Sequence, residues 1–294
     1  MMDWQPWQYT DSNGLTLRGW HTPPSGKPVL HFLHGNGFSG RTYEPMLALL
    51  AVDFDLWLCD LPGHGRSDVG DRFLGWNRNA SLSLDAFMAH QSLWDAGLPR
   101  YALGHSFGGV LTALSLAERP GLFQRAVLLD PVIFTPWMNR LLRAAETLGL
   151  AHHTPLARLS RKRRRVWPSA AAAQAALSGR GIFRGWTEAA MAAYVAHAMA
   201  PVAEGIGLCT PASLESTIFG SAPQRLWPSL RASSTPVRLI HGDQTYPFVP
   251  VSAQRWQRLN PQVEVMQTSG GHCFMQEDPA LAAELTRAYL LGKN

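Results

Sequence analysis

Ser106 lies at the centre of a short glycine-rich stretch, Tyr101-Ala-Leu-Gly-His-Ser-Phe-Gly-Gly109. An apolar run ends at Gly104, and a helix-forming segment continues from Val110 to Glu118. This pattern predicts a strand, a sharp turn and a helix, with the serine in a strained backbone conformation at the turn. The unpaired N–H groups at the start of the helix then point towards the serine hydroxyl. The stretch therefore predicts a nucleophilic serine.

A serine hydroxyl becomes a useful nucleophile only when a base accepts its proton and a third group orients that base. His272 lies in a glycine-flanked loop, Ser269-Gly-Gly-His-Cys-Phe274, directly after the last predicted strand. A flexible loop at that place can bring the imidazole to the carboxyl edge of a sheet, so we predict that His272 is the base. Most of the other histidines are interpreted as structural, among them His34, His64, His105, His152 and His153.

Buried strands alternate with helical segments on both sides of Ser106. The turn signal Asp11-Ser-Asn-Gly14 predicts an antiparallel hairpin at the start of the chain. The predicted buried strands are Val29–Leu33, Asp55–Cys59, Tyr101–Leu103, Ala126–Leu129, Pro236–His241 and Val263–Met266, and the predicted helices include Tyr43–Leu50, Ser83–Ala96 and Pro279–Leu291. Strands that are apolar throughout and alternate with helices indicate a parallel sheet covered on both faces.

The alternation stops at about Phe134 and resumes after Trp227. The segment between them is helix-like and rich in alanine, arginine and tryptophan, with no buried-strand signal. We therefore predict an α/β core in two parts, residues 1–133 and 229–294, interrupted by a helical insertion over residues 134–228.

Composition excludes several classes of protein. Hydrophobic residues make up 46% of the 294-residue chain and charged residues 16%, which suits a large buried core. The sequence contains no run of 18 apolar residues, so no membrane span is predicted. The first residues lack the features of a secretory signal. The three cysteines are widely spaced and predict neither a disulfide framework nor a zinc site. They favour a location in the reducing cytoplasm. The net charge of +5 is too modest to indicate nucleic-acid binding.

Four motifs occur in the order typical of the α/β-hydrolase superfamily. His34-Gly35 resembles its oxyanion loop, Asp60-Leu-Pro-Gly-His-Gly-Arg-Ser67 its D-x-x-G-x-G-x-S loop, Gly104–Gly108 its nucleophile elbow, and Gly271-His272 its late histidine motif. This resemblance implies a mostly parallel eight-stranded sheet with helices on both faces and a helical cap after strand six. It further implies an esterase-like or lipase-like serine hydrolase.

The acid that orients His272 is not at the position the resemblance implies. The commonest family position is three residues beyond the glycine after the seventh strand, and Thr245 stands there. A threonine cannot stabilise an imidazolium as a carboxylate does. Asp130 follows the sixth strand, where some family members place the acid, whereas Asp243 is two residues short of the usual position. We favour Asp130 and keep Asp243 as the alternative, although an aspartate before a proline is also a good turn residue.

Two further predictions concern the oxyanion hole and a run of basic residues. The resemblance implies that the backbone N–H groups of Asn36 and Phe107 form the oxyanion hole, with Gly37 as a neighbouring possibility. In addition, the basic run Arg161-Lys-Arg-Arg-Arg165 is interpreted as a solvated face of a cap helix. The alternative for this run is attraction of anionic substrates or of an acidic membrane surface.

Taken together, these features predict a serine hydrolase that uses neither a cofactor nor a metal ion. The expected substrate is a small molecule, a carboxylic ester or thioester with a small or apolar acyl group, cleaved through an acyl-enzyme at Ser106. No nucleic-acid partner and no integral membrane contact are expected. Two alternatives remain open: a C–C bond hydrolase or cofactor-free perhydrolase on the same triad, and a non-catalytic binding protein on the same scaffold.

Overall fold

An eight-stranded sheet forms the centre of the computed structural model, which describes residues 2–150 and 153–292. A second, three-stranded sheet lies in the segment predicted as an insertion. In chain order the strands are β1 Gln5–Thr10, β2 Thr16–His21, β3 Val29–Leu33, β4 Asp55–Asp60, β5 Arg100–His105, β6 Arg125–Leu129, β7 Val166–Trp167, β8 Met199–Val202, β9 Gly205–Leu208, β10 Val237–Gln244 and β11 Val263–Gly271.

The helices lie between these strands. They are α1 Glu44–Leu50, α2 Trp76–Ala89, α3 Ser106–Glu118, α4 Pro136–Thr147, α5 Pro155–Lys162, α6 Ala170–Leu177, α7 Glu188–His197, α8 Ala212–Gly220, α9 Leu226–Ala232, α10 Phe248–Leu259, α11 Phe274–Glu277 and α12 Pro279–Leu290. None of the helices in residues 2–150 and 153–292 is long and apolar enough to cross a membrane.

The order of the large sheet is β1-β2-β4-β3-β5-β6-β10-β11. Strands β1 and β2 form an antiparallel hairpin, β2 pairs antiparallel with β4, and the remaining neighbours are parallel. Strands β3 and β4 are buried along their whole length, because helices cover both faces of the sheet. The predicted fold class and the predicted hairpin are therefore confirmed.

The helix predicted from Ser83 to Ala96 lies about two turns earlier, as α2. It begins after Gly75, which has a φ of 84°, and it ends before a short 3₁₀ turn, Gln91–Leu93. The prediction was wrong at both ends: the helix starts directly after Gly75, and the predicted C-terminal part falls in the 3₁₀ turn and in the bend before Gly97 and Pro99, residues that do not continue a helix.

The segment 134–228 contains helices α4 to α8 and also the small antiparallel sheet β7-β9-β8, which the expectation of a helical insertion missed. These strands are two to four residues long, too short to produce a readable alternation of apolar and polar residues. Helix α9 crosses the proposed boundary at residue 228. The division of the chain at residues 133 and 228 stays a prediction.

His31 of β3 is buried in an aromatic cluster beneath the sheet. Its ring stacks on Trp57 at a centroid distance of 5.1 Å and contacts Phe87 edge-on at 5.0 Å. Neither ring nitrogen has a hydrogen-bond partner within the described part of the chain. Burial lowers the pKa of His31 from 6.5 to about 3. The imidazole therefore stays neutral in the folded protein under conditions that protonate it in the unfolded chain.

We expect His31→Phe to stabilise the fold, because it replaces an unpaired buried polar ring with an apolar one of similar size. Below about pH 6.5 only the unfolded wild type takes up a proton at this position, so the wild type loses up to ~1.4 kcal/mol per pH unit there. Urea unfolding between pH 7 and pH 5 should show a smaller loss of stability in the variant. An unchanged dependence on pH would contradict this account of His31.

Candidate active site

Ser106 occupies the turn between β5 and α3 with a φ of 54°, a conformation that non-glycine residues rarely adopt. The flanking glycines make this turn possible. A Cβ atom on Gly104 would lie 2.5 Å from Thr112 Oγ1, and one on Gly108 would overlap the carbonyl oxygen of Leu33 on the neighbouring strand. The close packing of strand, turn and helix thus requires glycine at both places and projects the serine hydroxyl from the edge of the sheet.

The structure brings Ser106, His272 and Asp130 together. Ser106 directly follows β5, His272 directly follows β11, and Asp130 directly follows β6. All three strands are parallel. The Ser106 hydroxyl donates to His272 Nε2 at 2.9 Å, and His272 Nδ1–H donates to Asp130 Oδ1 at 2.7 Å. The side chain of Asp130 is fully buried and that of His272 is 11% exposed. A carboxylate on Nδ1 fixes the tautomer whose Nε2 accepts a proton.

Asp130 also accepts hydrogen bonds from groups other than His272. Its Oδ2 accepts a hydrogen bond from the Gly242 N–H at 2.9 Å, and its Oδ1 also accepts one from the Thr245 hydroxyl at 2.5 Å. Its backbone has a φ of 45°, and its own N–H donates to the Ile240 carbonyl at 2.7 Å. Thr245, at the usual family position of the acid, therefore supplies a hydrogen bond to the carboxylate that faces His272.

The alternative acid, Asp243, has a different partner. Its side chain is exposed, and its Oδ1 accepts a hydrogen bond from the Gly270 N–H at 2.9 Å. This contact joins the ends of β10 and β11. Of the two carboxylates considered, Asp130 is the one in contact with His272.

The predicted oxyanion residues Asn36 and Phe107 border the same cavity as Ser106 and His272. The Asn36 amide donates from Nδ2 to the Glu215 carbonyl at 3.2 Å, and its Oδ1 lies 3.2 Å from His64 Nε2. The Phe107 ring packs edge-on against Trp76 at 4.7 Å. The oxyanion role of the backbone N–H groups of these two residues stays a prediction.

A small apolar cavity of about 50 Å³ opens beside Ser106. The cavity is lined both by residues of the segment 134–228 and by residues of the parts of the chain that form the large sheet. Its apolar lining consists of Phe38, Trp76, Val132, Phe134, Leu156, Ile182, Ile218, Phe219, Tyr246 and Phe248. Trp76 and Phe248 were not predicted as cavity residues. They lie on helices far from Ser106 in the chain, and no local pattern marks them.

Besides Asp130, two titratable side chains beside His272, those of Tyr246 and Cys273, are neutral. Burial raises the pKa of Tyr246, whose ring lies 4.8 Å from the His272 ring, to about 12. Burial also raises the pKa of the Cys273 thiol well above its usual range, so this neighbour of His272 is not a thiolate nucleophile. His34 is buried as well, and its Nε2 accepts a hydrogen bond from the Leu61 N–H at 3.0 Å. His152 lies outside the described residues.

The basic run is not a uniformly solvated face. Arg163 Nη2 forms an ion pair with Glu215 Oε2 at 2.8 Å, and Arg165 Nη1 lies 3.4 Å from the same oxygen. Glu215 is buried, and this burial raises its pKa. Arg161, Lys162 and Arg164 are exposed, as predicted for the whole run. The two half-buried arginines thus link the run to the helix that contacts Asn36.

The model of the Alpha/beta hydrolase family matches residues 32–285 of this chain. The chain therefore belongs to the alpha/beta hydrolase family, and the family predicted from the four motifs is confirmed.

Individual relatives match shorter stretches. Human monoglyceride lipase is 33% identical over 129 residues, which cover 42% of this chain and 41% of the lipase. Pimeloyl-[acyl-carrier protein] methyl ester esterase of Pectobacterium carotovorum is 34% identical over 103 residues, 34% of this chain and 36% of the esterase. The matches thus span about two fifths or less of these relatives. The crystal structure of E-2-(acetamidomethylene)succinate hydrolase superposes with a TM-score of 0.76 over 98% of this chain and 99% of that one, at 19% identity, a likeness in fold.

The contacts of the two carboxylates predict different effects of neutralising them. Asp130→Asn places an amide against His272 Nδ1, which favours the wrong tautomer, and we expect the rate of Ser106 labelling by a fluorophosphonate to fall on the order of 10³–10⁴-fold. The matched substitution Asp243→Asn affects only a strand-end contact and should leave that rate within about twofold. The reverse pattern, measured by mass spectrometry of the labelled peptide, would exclude Asp130 as the orienting acid.

Proposed function

We propose that this protein is a serine hydrolase that cleaves a carboxylic ester or thioester through an acyl-enzyme at Ser106. In this proposal His272 is the general base and Asp130 the acid that orients it. The proposal depends on one observation above all: the hydrogen-bonded series Ser106–His272–Asp130 begins in an apolar cavity and ends on a fully buried carboxylate.

In the acylation step, His272 Nε2 accepts the hydroxyl proton while Ser106 Oγ attacks the substrate carbonyl carbon. The resulting imidazolium is stabilised by Asp130. When the tetrahedral intermediate collapses, His272 returns the proton to the leaving alcohol or thiol, and the acyl group stays on Ser106. Water then repeats the same sequence on the acyl-enzyme, releasing a carboxylic acid and restoring the serine.

The negative charge of the tetrahedral oxygen requires donors. We propose that the backbone N–H groups of Asn36 and Phe107 provide them, since both residues border the cavity next to Ser106. Each such donor contributes about 2.7–4 kcal/mol to transition-state stabilisation. The positive end of α3, which starts at Ser106, favours the same charge.

The lining of the cavity supports the proposal that the substrate carries an apolar acyl group. Apart from Asn36, Ser106, Tyr246 and His272, its lining is aliphatic or aromatic, as is usual for small-molecule sites. Leu156, Ile182, Ile218 and Phe219 come from the segment 134–228. This shared lining supports the proposal that the segment is a cap that helps to select the acyl group.

The relatives support ester hydrolysis rather than another bond type, because their names describe a lipase and a methyl ester esterase. A small-molecule ester is accordingly the proposed partner of the site. A cytoplasmic location remains a proposal based on the three cysteines, which are free.

Ser106→Ala removes the attacking oxygen, and we expect it to lower kcat for p-nitrophenyl ester hydrolysis by at least ~10³-fold. Ser115→Ala is a matched control, because Ser115 is a buried serine of the same helix whose hydroxyl donates to the Leu111 carbonyl. That control should keep the wild-type rate. Equal activity of Ser106→Ala and the wild type would refute the acyl-enzyme proposal.

Phe219→Ala enlarges the cavity on the side of the segment 134–228, so we expect the preferred acyl chain in a series of p-nitrophenyl esters to lengthen. The ratio of kcat/KM between neighbouring chain lengths should change by about 10–200-fold, the usual range for one methylene in an apolar pocket. Trp137→Ala is the control, because Trp137 is an exposed aromatic residue of the same segment. This variant should leave the preferred acyl-chain length unchanged. An identical chain-length profile for both variants would contradict a role of Phe219 in acyl selection.

A further inference from the structure

Tyr43 and His105 are two buried polar side chains that the mechanism above does not use. His105 is the last residue of β5 and directly precedes Ser106. Tyr43 ends the 3₁₀ turn Gly40–Tyr43, which follows the oxyanion loop. Neither side chain is accessible to solvent, and neither lines the cavity beside Ser106. Two such groups in an apolar interior are unfavourable unless they are fully hydrogen-bonded.

A directed series of hydrogen bonds satisfies both side chains. The Gly35 N–H donates to Tyr43 Oη at 3.1 Å, Tyr43 Oη lies 2.6 Å from His105 Nδ1, and His105 Nε2 lies 3.0 Å from the His272 carbonyl oxygen. A carbonyl oxygen only accepts, so Nε2 carries a proton. Burial lowers the pKa of His105 well below its usual range, so the ring is neutral and Nδ1 is an acceptor. The Tyr43 hydroxyl is therefore the donor to His105.

This series reaches each of the three loops that supply the proposed chemistry. Gly35 directly precedes Asn36 in the oxyanion loop, His105 directly precedes Ser106, and the accepting carbonyl belongs to His272 itself. Every contact except the Tyr43–His105 bond includes a backbone group. The two side chains therefore act on the backbone positions of the loops rather than on the reacting atoms.

The glycine of the His34-Gly35 motif is explained by the same contacts. A Cβ atom on Gly35 would lie 2.9 Å from His105 Nδ1, 3.1 Å from Phe38 Cδ2 and 3.2 Å from Tyr43 Oη. A side chain at this position would therefore push against His105 and its neighbours. The oxyanion loop has glycine here because the Tyr43–His105 pair and the Phe38 ring fill the space.

We propose that Tyr43 and His105 are positioning residues that hold the oxyanion loop, the nucleophile and the catalytic histidine in register through their backbones. The proposal rests on the proposed serine hydrolase function. Because misplacement by about 1 Å lowers rates about 10²-fold, loosening this connection acts on kcat rather than on substrate binding.

Tyr43→Phe tests the proposal by deleting one hydroxyl and keeping the ring. We expect kcat for p-nitrophenyl ester hydrolysis to fall about 10–100-fold while KM changes about twofold or less. His105→Leu should have an effect of similar size. The double variant should lose no more than the worse single variant, because both substitutions break the same connection.

Two further variants separate positioning from a general loss of stability. His105→Gln keeps one acceptor and one donor, so it should retain more activity than His105→Leu. Asn260→Ala deletes buried hydrogen bonds to Leu230 and Ser233 just before β11, at the edge of the sheet opposite Ser106. It should lower Tm by an amount comparable to Tyr43→Phe and leave kcat at the wild-type value.

The outcomes distinguish this inference from the function on which it rests. An inactive wild type would refute the proposed function. An active wild type with full kcat in Tyr43→Phe, or with the same fall in kcat in Asn260→Ala, would refute the positioning role. Independent losses that multiply in the double variant would also refute it, since the two side chains would then not act as one connection.

Discussion

The fully buried carboxylate of Asp130 is the constraint on which the rest of the site depends. An ionised group in the interior is very unfavourable unless donors surround it. Here the donors are the His272 imidazole, the Thr245 hydroxyl and the Gly242 N–H. The contact that orients the histidine therefore also compensates the burial of the acid.

The register of the sheet supplies those donors. Strands β6 and β10 run parallel, with Leu129 opposite Ile240, so that Asp130 leaves β6 beside the end of β10. Strand β11 continues the sheet on the other side of β10 and ends at Gly271, one residue before the histidine. Because all three strands are parallel, their carboxyl ends meet at one edge, where ligands of such folds bind. The apolar interior of the sheet thus fixes the polar site.

The segment 134–228 covers the carboxyl edge of the sheet where the apolar cavity lies. Its residues share the lining of the cavity with α2, α10 and the loops of the large sheet. It is also joined to the loop His34-Gly35-Asn36, because the Glu215 carbonyl accepts a hydrogen bond from Asn36 while the Glu215 carboxylate pairs with Arg163 and Arg165. The positions of this segment and of the loop that contains Asn36 are therefore coupled through Glu215, a buried residue.

Local patterns in the sequence predicted the sheet, the turn at Ser106 and the loop of His272, because glycine spacing and apolar runs report on neighbouring residues. The choice between Asp130 and Asp243 depends on which strands are adjacent and in what register, and sequence alone could only favour one. The Tyr43–His105 contact, the cavity residues and the ion pair of Arg163 join distant parts of the chain, so no local signal marked them. Strands β7 to β9 were missed because they are very short, and the catalytic roles and domain boundaries stay predictions.

The most direct measurement is intact-protein mass spectrometry after rapid acid quenching of the enzyme with a slowly deacylated ester. We expect one added acyl mass per chain, formed faster than the steady-state rate and located on the peptide that contains Ser106. Turnover of the ester without any covalent adduct, or an adduct on another residue, would contradict the acyl-enzyme proposal.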